Sequence, residues 1–129
     1  QVGITMDLSA TAVAISGATV PADVKLEGIN LLPLLQKGAQ PVSRTLFWRV
    51  NTAGFNQKAV REGNWKLVLE APARAHLFDV VKDPGEREEL AASHADIVRK
   101  LRNELLAWEK DVDAEAASAR PRQPVPEWK

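Results

Sequence analysis

Apolar and polar positions alternate with period two through the middle of the chain. Trp65, Leu67 and Leu69 interleave with Lys66, Val68 and Glu70, the rhythm of a strand with one packed face. Before it, Val60-Arg61 and Trp65 are separated by Gly63-Asn64, two residues that tolerate positive φ and suit a tight hairpin turn. Upstream, Leu46, Trp48 and Val50 face one way along TLFWRV, and Thr45, Phe47 and Arg49 face the other. Downstream of Pro72, the run from Ala75 to Val81 is closed by Asp83-Pro84-Gly85, where a residue without an N–H and with a preset φ stops a ladder. The pattern predicts a small antiparallel sheet of about four strands, near 45–50, 58–62, 65–70 and 75–81. Asn51 to Gln57 shows no period and is predicted as a polar loop.

After Asp83-Pro84-Gly85 the period becomes helical. Ile97, Leu101, Leu105, Trp108 and Val112 recur at spacings of four, four, three and four, one stripe of a helix that should lie across the sheet. Ser93 and Asp96 form a predicted capping pair at its start, and Asp96 and Lys100 are spaced for an acid-first ion pair. Thr5 to Ala18 is predicted as an N-terminal helix with Thr5 as cap, Asp7 in the first turn and Gly17 at the exit. Its apolar residues fall in two rows, Met6, Ala10, Val13 and Leu8, Ala12, Ile15. Its β-branched residues leave a strand open as the alternative. From Pro21 to Gly38 runs a connector whose Leu31, Leu32, Leu34 and Leu35 should plug an apolar surface, with Pro33 early in a single helical turn. In a separated fragment those leucines would instead be partly bared. The fold class is α+β: a four-strand sheet against a long C-terminal helix, an N-terminal helix, and a tail. We expect one domain over 1–117, and an extended tail over 118–129, which has three prolines in its last nine residues.

Composition narrows the function classes. With 129 residues, 45% hydrophobic and no net charge, the chain can bury a core and lacks the basic excess that steers nucleic acid. No apolar run reaches membrane-spanning length. The chain has no cysteine, hence no disulfide or thiolate metal site. Its opening on Gln1 leads us to expect a fragment of a longer protein.

Candidate chemistry is sparse. His76 falls in a predicted strand and His94 near a helix start, and they share no H-x-x-x-H or H-E-x-x-H spacing; solvated or satisfied histidines account for them better than ligands do. Asp79, Asp83, Glu86, Glu88 and Glu89 lack the D-x-D-x-D-G ladder of a calcium loop, and a solvated turn explains them. No glycine-framed serine elbow and no glycine-rich phosphate loop occurs. Four tryptophans raise a sugar-stacking surface as a possibility; Trp65 and Trp108 keep apolar rhythm and read as core, while the rhythm does not decide Trp48.

The wording of several segments adds a resemblance. AVREGNWKL followed by HLFDVVKDPGEREEL, preceded by MDLSATAVAISGA, VKLEGINLLPLL and LFWR, resembles the C-terminal subdomain of sulfatases, members of the alkaline-phosphatase-like superfamily. It covers about Thr5 to Trp108, and departs from the family at Ala10-Thr11, where Pro-Thr is frequent. The resemblance implies a parent that hydrolyses sulfuric esters, using a formylglycine made at a C/S-x-P-x-R motif and a divalent cation, usually calcium. Both belong to a separate N-terminal α/β domain. The nearest string here, Ser118-Ala119-Arg120-Pro121-Arg122, carries its proline one place late. The resemblance therefore implies no catalytic and no metal-binding residue in this chain, and no turnover by the chain alone.

What remains is a supporting role. The implied partner is the parent's own catalytic domain, and the implied substrate a sulfated small molecule or glycan. Nucleic acid and membrane are not expected as partners. An interface bared by separation would also offer a surface for self-association, and export of the parent follows by analogy with bacterial relatives. In resembling enzymes the loop after the LFW strand lies toward the mouth of the sulfate pocket. That position makes Arg49, Asn51, Phe55 and Asn56 the candidate substrate-lining residues: Arg49 for an anionic group, the asparagines for hydroxyls, Phe55 for a stacking face. The competing reading has Arg49 answering a carboxylate on the neighbouring strand and Phe55 filling a gap. Two other functions stay open: the same subdomain in a phosphonate or phosphodiester hydrolase, and a stand-alone binding module.

Overall fold

The structure, a computed structural model, describes residues 1–52, 55–70 and 74–118, with the backbone alone at 37 and 55. Residues 53–54 of the predicted polar loop, the Pro72 link and the proline-rich tail beyond Ser118 lie outside the described residues. The elements are α1 (Met6–Ser16), α2 (Leu32–Lys37), β1 (Thr45–Thr52), β2 (Phe55–Glu62), β3 (Trp65–Glu70), β4 (Arg74–Asp79) and α3 (Ala95–Ser118). They divide into two compact units, Gln1–Arg44 and Thr45–Lys129. No described helix is long and apolar enough to cross a membrane.

In the first unit, α1 is the helix of the two readings offered by the sequence, and it ends on Gly17 at φ 68°, where a residue without Cβ is favoured. Thr5 makes no side-chain cap. Asp7 instead reaches back from the first turn, its Oδ2 accepting the Ile4 N–H at 2.8 Å. The Asp7 carboxylate is wholly buried. It also accepts the Ile29 N–H at 3.0 Å, and Arg44 closes on it with Nη1 at 2.8 Å from Oδ1 and Nη2 on Oδ2. Gly28 runs directly over the start of α1: a Cβ there would stand 2.1 Å from the Met6 carbonyl oxygen. Pro33 sits in the first turn of α2 as predicted. Leu31, Leu32 and Leu34 are half-buried, but Leu35 is 77% exposed and plugs no apolar surface among the described residues.

The second unit is an antiparallel meander in the order β1-β2-β3-β4. Gly63, at φ 56°, and Asn64 form the two-residue turn between Glu62 and Trp65. Both strands of the first hairpin run further than predicted, with Asn51 opposite Asn56 and Thr52 opposite Phe55. The ladder uses backbone groups, so polar side chains at an exposed hairpin end do not interrupt it. β4 stops at Asp79, earlier than expected, because Asp79 Oδ1 accepts the Val81 and Lys82 N–H groups and turns the chain.

One face of the sheet is packed. Phe47, Val60, Leu67 and Leu77 form a single row across the four strands. Leu101 and Leu105 of α3 come down on it, giving a core of Val60, Leu67, Leu77, Leu101 and Leu105 with no solvent exposure. Phe47 stacks on Trp108 with ring centres 5.2 Å apart. The predicted stripe of α3 is therefore its packed face. Three details at its start differ. The segment from 86 to 94, expected to turn helical after Asp83-Pro84-Gly85, is a series of turns anchored by carboxylates: Asp83 accepts the Arg87 and Glu88 N–H groups, and Glu89 those of Leu77 and Ala91. Ser93 directs its hydroxyl to the Leu90 carbonyl and to His94 Nδ1 rather than capping the helix. Lys100 reaches Glu62 of β2, and Glu104 at 3.7 Å, in place of Asp96.

Candidate functional site

The sheet's other face carries a concavity of about 790 Å³ that a ligand could enter. Its floor is the row Trp48, Ala59, Val68, His76. Two small residues on the central strands lie between aromatic rings on the edge strands, and that difference in side-chain size makes the surface hollow. From the neighbouring row, Arg61, Lys66 and Phe78 line one end and bring two cations to it, and Gln57 with Glu70 lines the other. Trp48 is 37% exposed. Glu86 closes the rim and pairs with Lys66 at 2.5 Å. Its φ of 53° is left-handed without the excuse of glycine, a conformation that costs energy and is held by its surroundings. His76 lies beside Phe78, with Nε2 3.8 Å from Glu70 Oε2, and Gln57 Nε2 donates to Glu70 at 3.0 Å. His94 is elsewhere, tilted against Trp65 at 4.9 Å.

The residues singled out after the LFW strand do not gather here. Arg49 belongs to the helix face, where Nη1 lies 2.8 Å from Asp113 Oδ1 and 3.6 Å from Glu109 Oε1. Its guanidinium also stands 6.0 Å from the centre of the Trp108 ring. The bond to Asp113, ahead of the opposing effect of burial, raises the Arg49 pKa further above its ordinary value. Arg49 thus answers carboxylates, but on α3 rather than on the neighbouring strand. Asn51 and Asn56 face each other across the end of the β1–β2 hairpin, both exposed and in the same alternation as Arg49. Phe55 pairs with Thr52, and its side chain lies outside the described residues. Of the residues that do converge, Trp48, Arg61, Lys66, Glu70, His76 and Phe78 share one signal in the sequence, the strand phase opposite to the Phe47, Val60, Leu67, Leu77 row, and Glu86, in the turns after β4, carries none.

The acids of the described residues are arranged as turn anchors and ion pairs. Among the described residues no three His, Cys, Asp or Glu side chains come together in a way that could hold a metal. The carboxylates that look most suitable are already engaged by backbone donors. Asp79, Asp83 and Glu89 each accept N–H groups that hold their carboxyls below the ordinary range, against the opposite pull of burial. Such groups are turn anchors, and a metal would have to displace the bonds that shape the chain.

No protein-family model matches the chain, and no curated protein matches it. Solved structures do. The chain is similar to BT4656, solved in complex with its substrate D-glucosamine-2-N,6-O-disulfate, at a TM-score of 0.65 and 21% identity over 81% of this chain. It is similar to YidJ of Bacteroides fragilis, described as a sulfatase, at 0.66 and 16% identity over 83%. It is similar to the phosphonate monoester hydrolase of Agrobacterium radiobacter at 0.58 and 23% identity over 81%. The chain spans 23% of the first of these structures and 24% of each of the other two.

Proposed function

We propose, from the premise that this fold is the sulfatase-type, alkaline-phosphatase-like one, that the chain is the C-terminal subdomain of a sulfuric ester hydrolase. Its part is to pack on the catalytic domain and wall the side of the cleft that meets the alcohol half of the ester. The observation that carries the reading is a coincidence of wording and place. AVREGNWKL forms the β2–β3 hairpin, and HLFDVVKDPGE forms β4 and the carboxylate-anchored turn after it, within a fold shared with proteins that include one acting on a sulfated sugar.

On this reading the hollow face around Trp48 is better suited to line the cleft than the Arg49 side. An exposed indole offers a flat apolar face, and Arg61 and Lys66 offer donors to anionic groups. Arg49 is already bound to α3. The resemblance assigns the calcium and the formylglycine to the rest of the parent.

A second reading has the same subdomain serving a phosphonate monoester hydrolase, supported by the likeness to the Agrobacterium radiobacter enzyme. Assaying the full-length parent on an aryl sulfate and on an aryl phosphonate monoester separates the two. A larger kcat/KM on the sulfate is expected. The reverse order favours the second reading, and turnover of neither overturns both.

A further inference from the structure

Helix α1 is turned inside out. Asp7 and Ala10 are buried and Thr11 is half-buried, so the inward row contains both a carboxylate and a hydroxyl. These face a connector that forms no ladder, and its N–H groups need acceptors. Asp7 supplies one to Ile29, and Thr11 Oγ1 supplies one to Leu31 at 3.0 Å. Leu8, Ala12 and Ile15, at spacings of four and three, form the outward row. Leu8 is 65% and Ile15 67% exposed. A surface helix ordinarily does the opposite, turning apolar residues to the core and charge to water. In the eleven residues of α1 the single ionisable side chain is Asp7, and it is held by Arg44. The outward row therefore has no charge to keep it hydrated, and it continues the kind of apolar surface that proteins cover.

We propose that this row is a seam by which the chain docks onto the remainder of its own polypeptide. The proposal rests on the reading that the chain is part of a longer enzyme. That occupant is favoured over others by two observations. The structures sharing the fold extend well beyond it, since the chain spans only 23–24% of their length. The seam carries no charge, so its counterpart is an apolar, close-packed surface rather than an acidic or basic ligand. At 1.5 Å per residue the seam from Leu8 to Ile15 is about 10 Å long, two turns of one helix laid along a neighbouring element.

The test compares the isolated chain with the full-length parent, each carrying Ile15→Cys or, separately, Leu8→Cys. Maleimide labelling under native conditions is followed by peptide mass spectrometry. In the isolated chain, both positions should label at the rate of an unstructured peptide. In the parent they should label slower by about two orders of magnitude or more, as for sites that react only through opening. Equal rates in the two proteins overturn the proposal. So does shielding in the isolated chain that dilution relieves, which would identify a second copy as the occupant. Labelling needs no turnover, so a parent inactive on sulfate esters that still shields the seam refutes the catalytic reading while leaving the docking intact.

Discussion

Asp7 and Gly28 show how much of the first unit depends on single side chains. The hydrogen bonds from Arg44, opposed by burial and assisted by the Ile4 and Ile29 N–H groups, hold the Asp7 carboxyl well below the ordinary carboxylate range. A folded-state value depressed in this way contributes stability that is complete above the unfolded value of about 3.9 and is lost as pH falls through that range toward the folded value. We expect the hydrogen-exchange protection of α1 amides to fall as pH drops below about 4, after correction for intrinsic exchange rates. Asp7→Asn should flatten that dependence, and an unchanged slope would mean that other carboxylates carry it. Arg44→Ala should cost about 3–5 kcal/mol, the range for removing one partner of a buried pair, read by the same protection at neutral pH. Gly28 is constrained by space rather than by φ. Gly28→Ala should destabilise by about 1–3 kcal/mol or more, because the added methyl meets backbone that cannot rotate away. Gly38, with nothing near its Cβ direction, gives a comparison in which only the left-handed φ is at stake.

At the scale of elements, α3 and the meander are held by one layer of contacts. Leu101→Ala and Leu105→Ala should each cost about 2–5 kcal/mol in a denaturant melt, the range for large-to-small changes in a core. Lys100→Ala, at an exposed position, should cost far less, and similar small losses at all three positions would place the packed face elsewhere. The elements were legible to different depths, for physical reasons. Strand alternation located all four strands, because half-buried strands announce their packed face every second residue. It missed the ends of β1 and β2, where pairing continues through Asn51, Thr52 and Asn56 with no apolar rhythm to mark it. It also expected helical periodicity directly after Asp83-Pro84-Gly85, where the chain makes turns up to His94. The acids that look like a first helical turn there accept N–H groups from turns, and only coordinates distinguish those uses of Asp and Glu. For α1 both apolar rows were visible, but not which one faces in. That choice was made by the hydrogen-bonding needs of residues 29–31.

For the molecule as a whole, the sequence carried the architecture further than the site. The parity of TLFWRV already set Arg49 apart from Trp48, yet the partners that claim Arg49 lie 60 and 64 residues away, at Glu109 and Asp113. Side-chain competition over such a distance leaves no local trace. The hollow at Trp48 was hidden for a related reason: it is made by Ala59 and Val68 being small where neighbouring strands are large, a property of the register rather than of any motif. The division of the chain after Arg44 also has an optical consequence. Every tryptophan, at 48, 65, 108 and 128, lies beyond that point. For the described tryptophans, Trp48, Trp65 and Trp108, indole emission therefore reports on the sheet and α3, and circular dichroism and amide exchange in α1 are the probes that register opening of the Asp7 clamp.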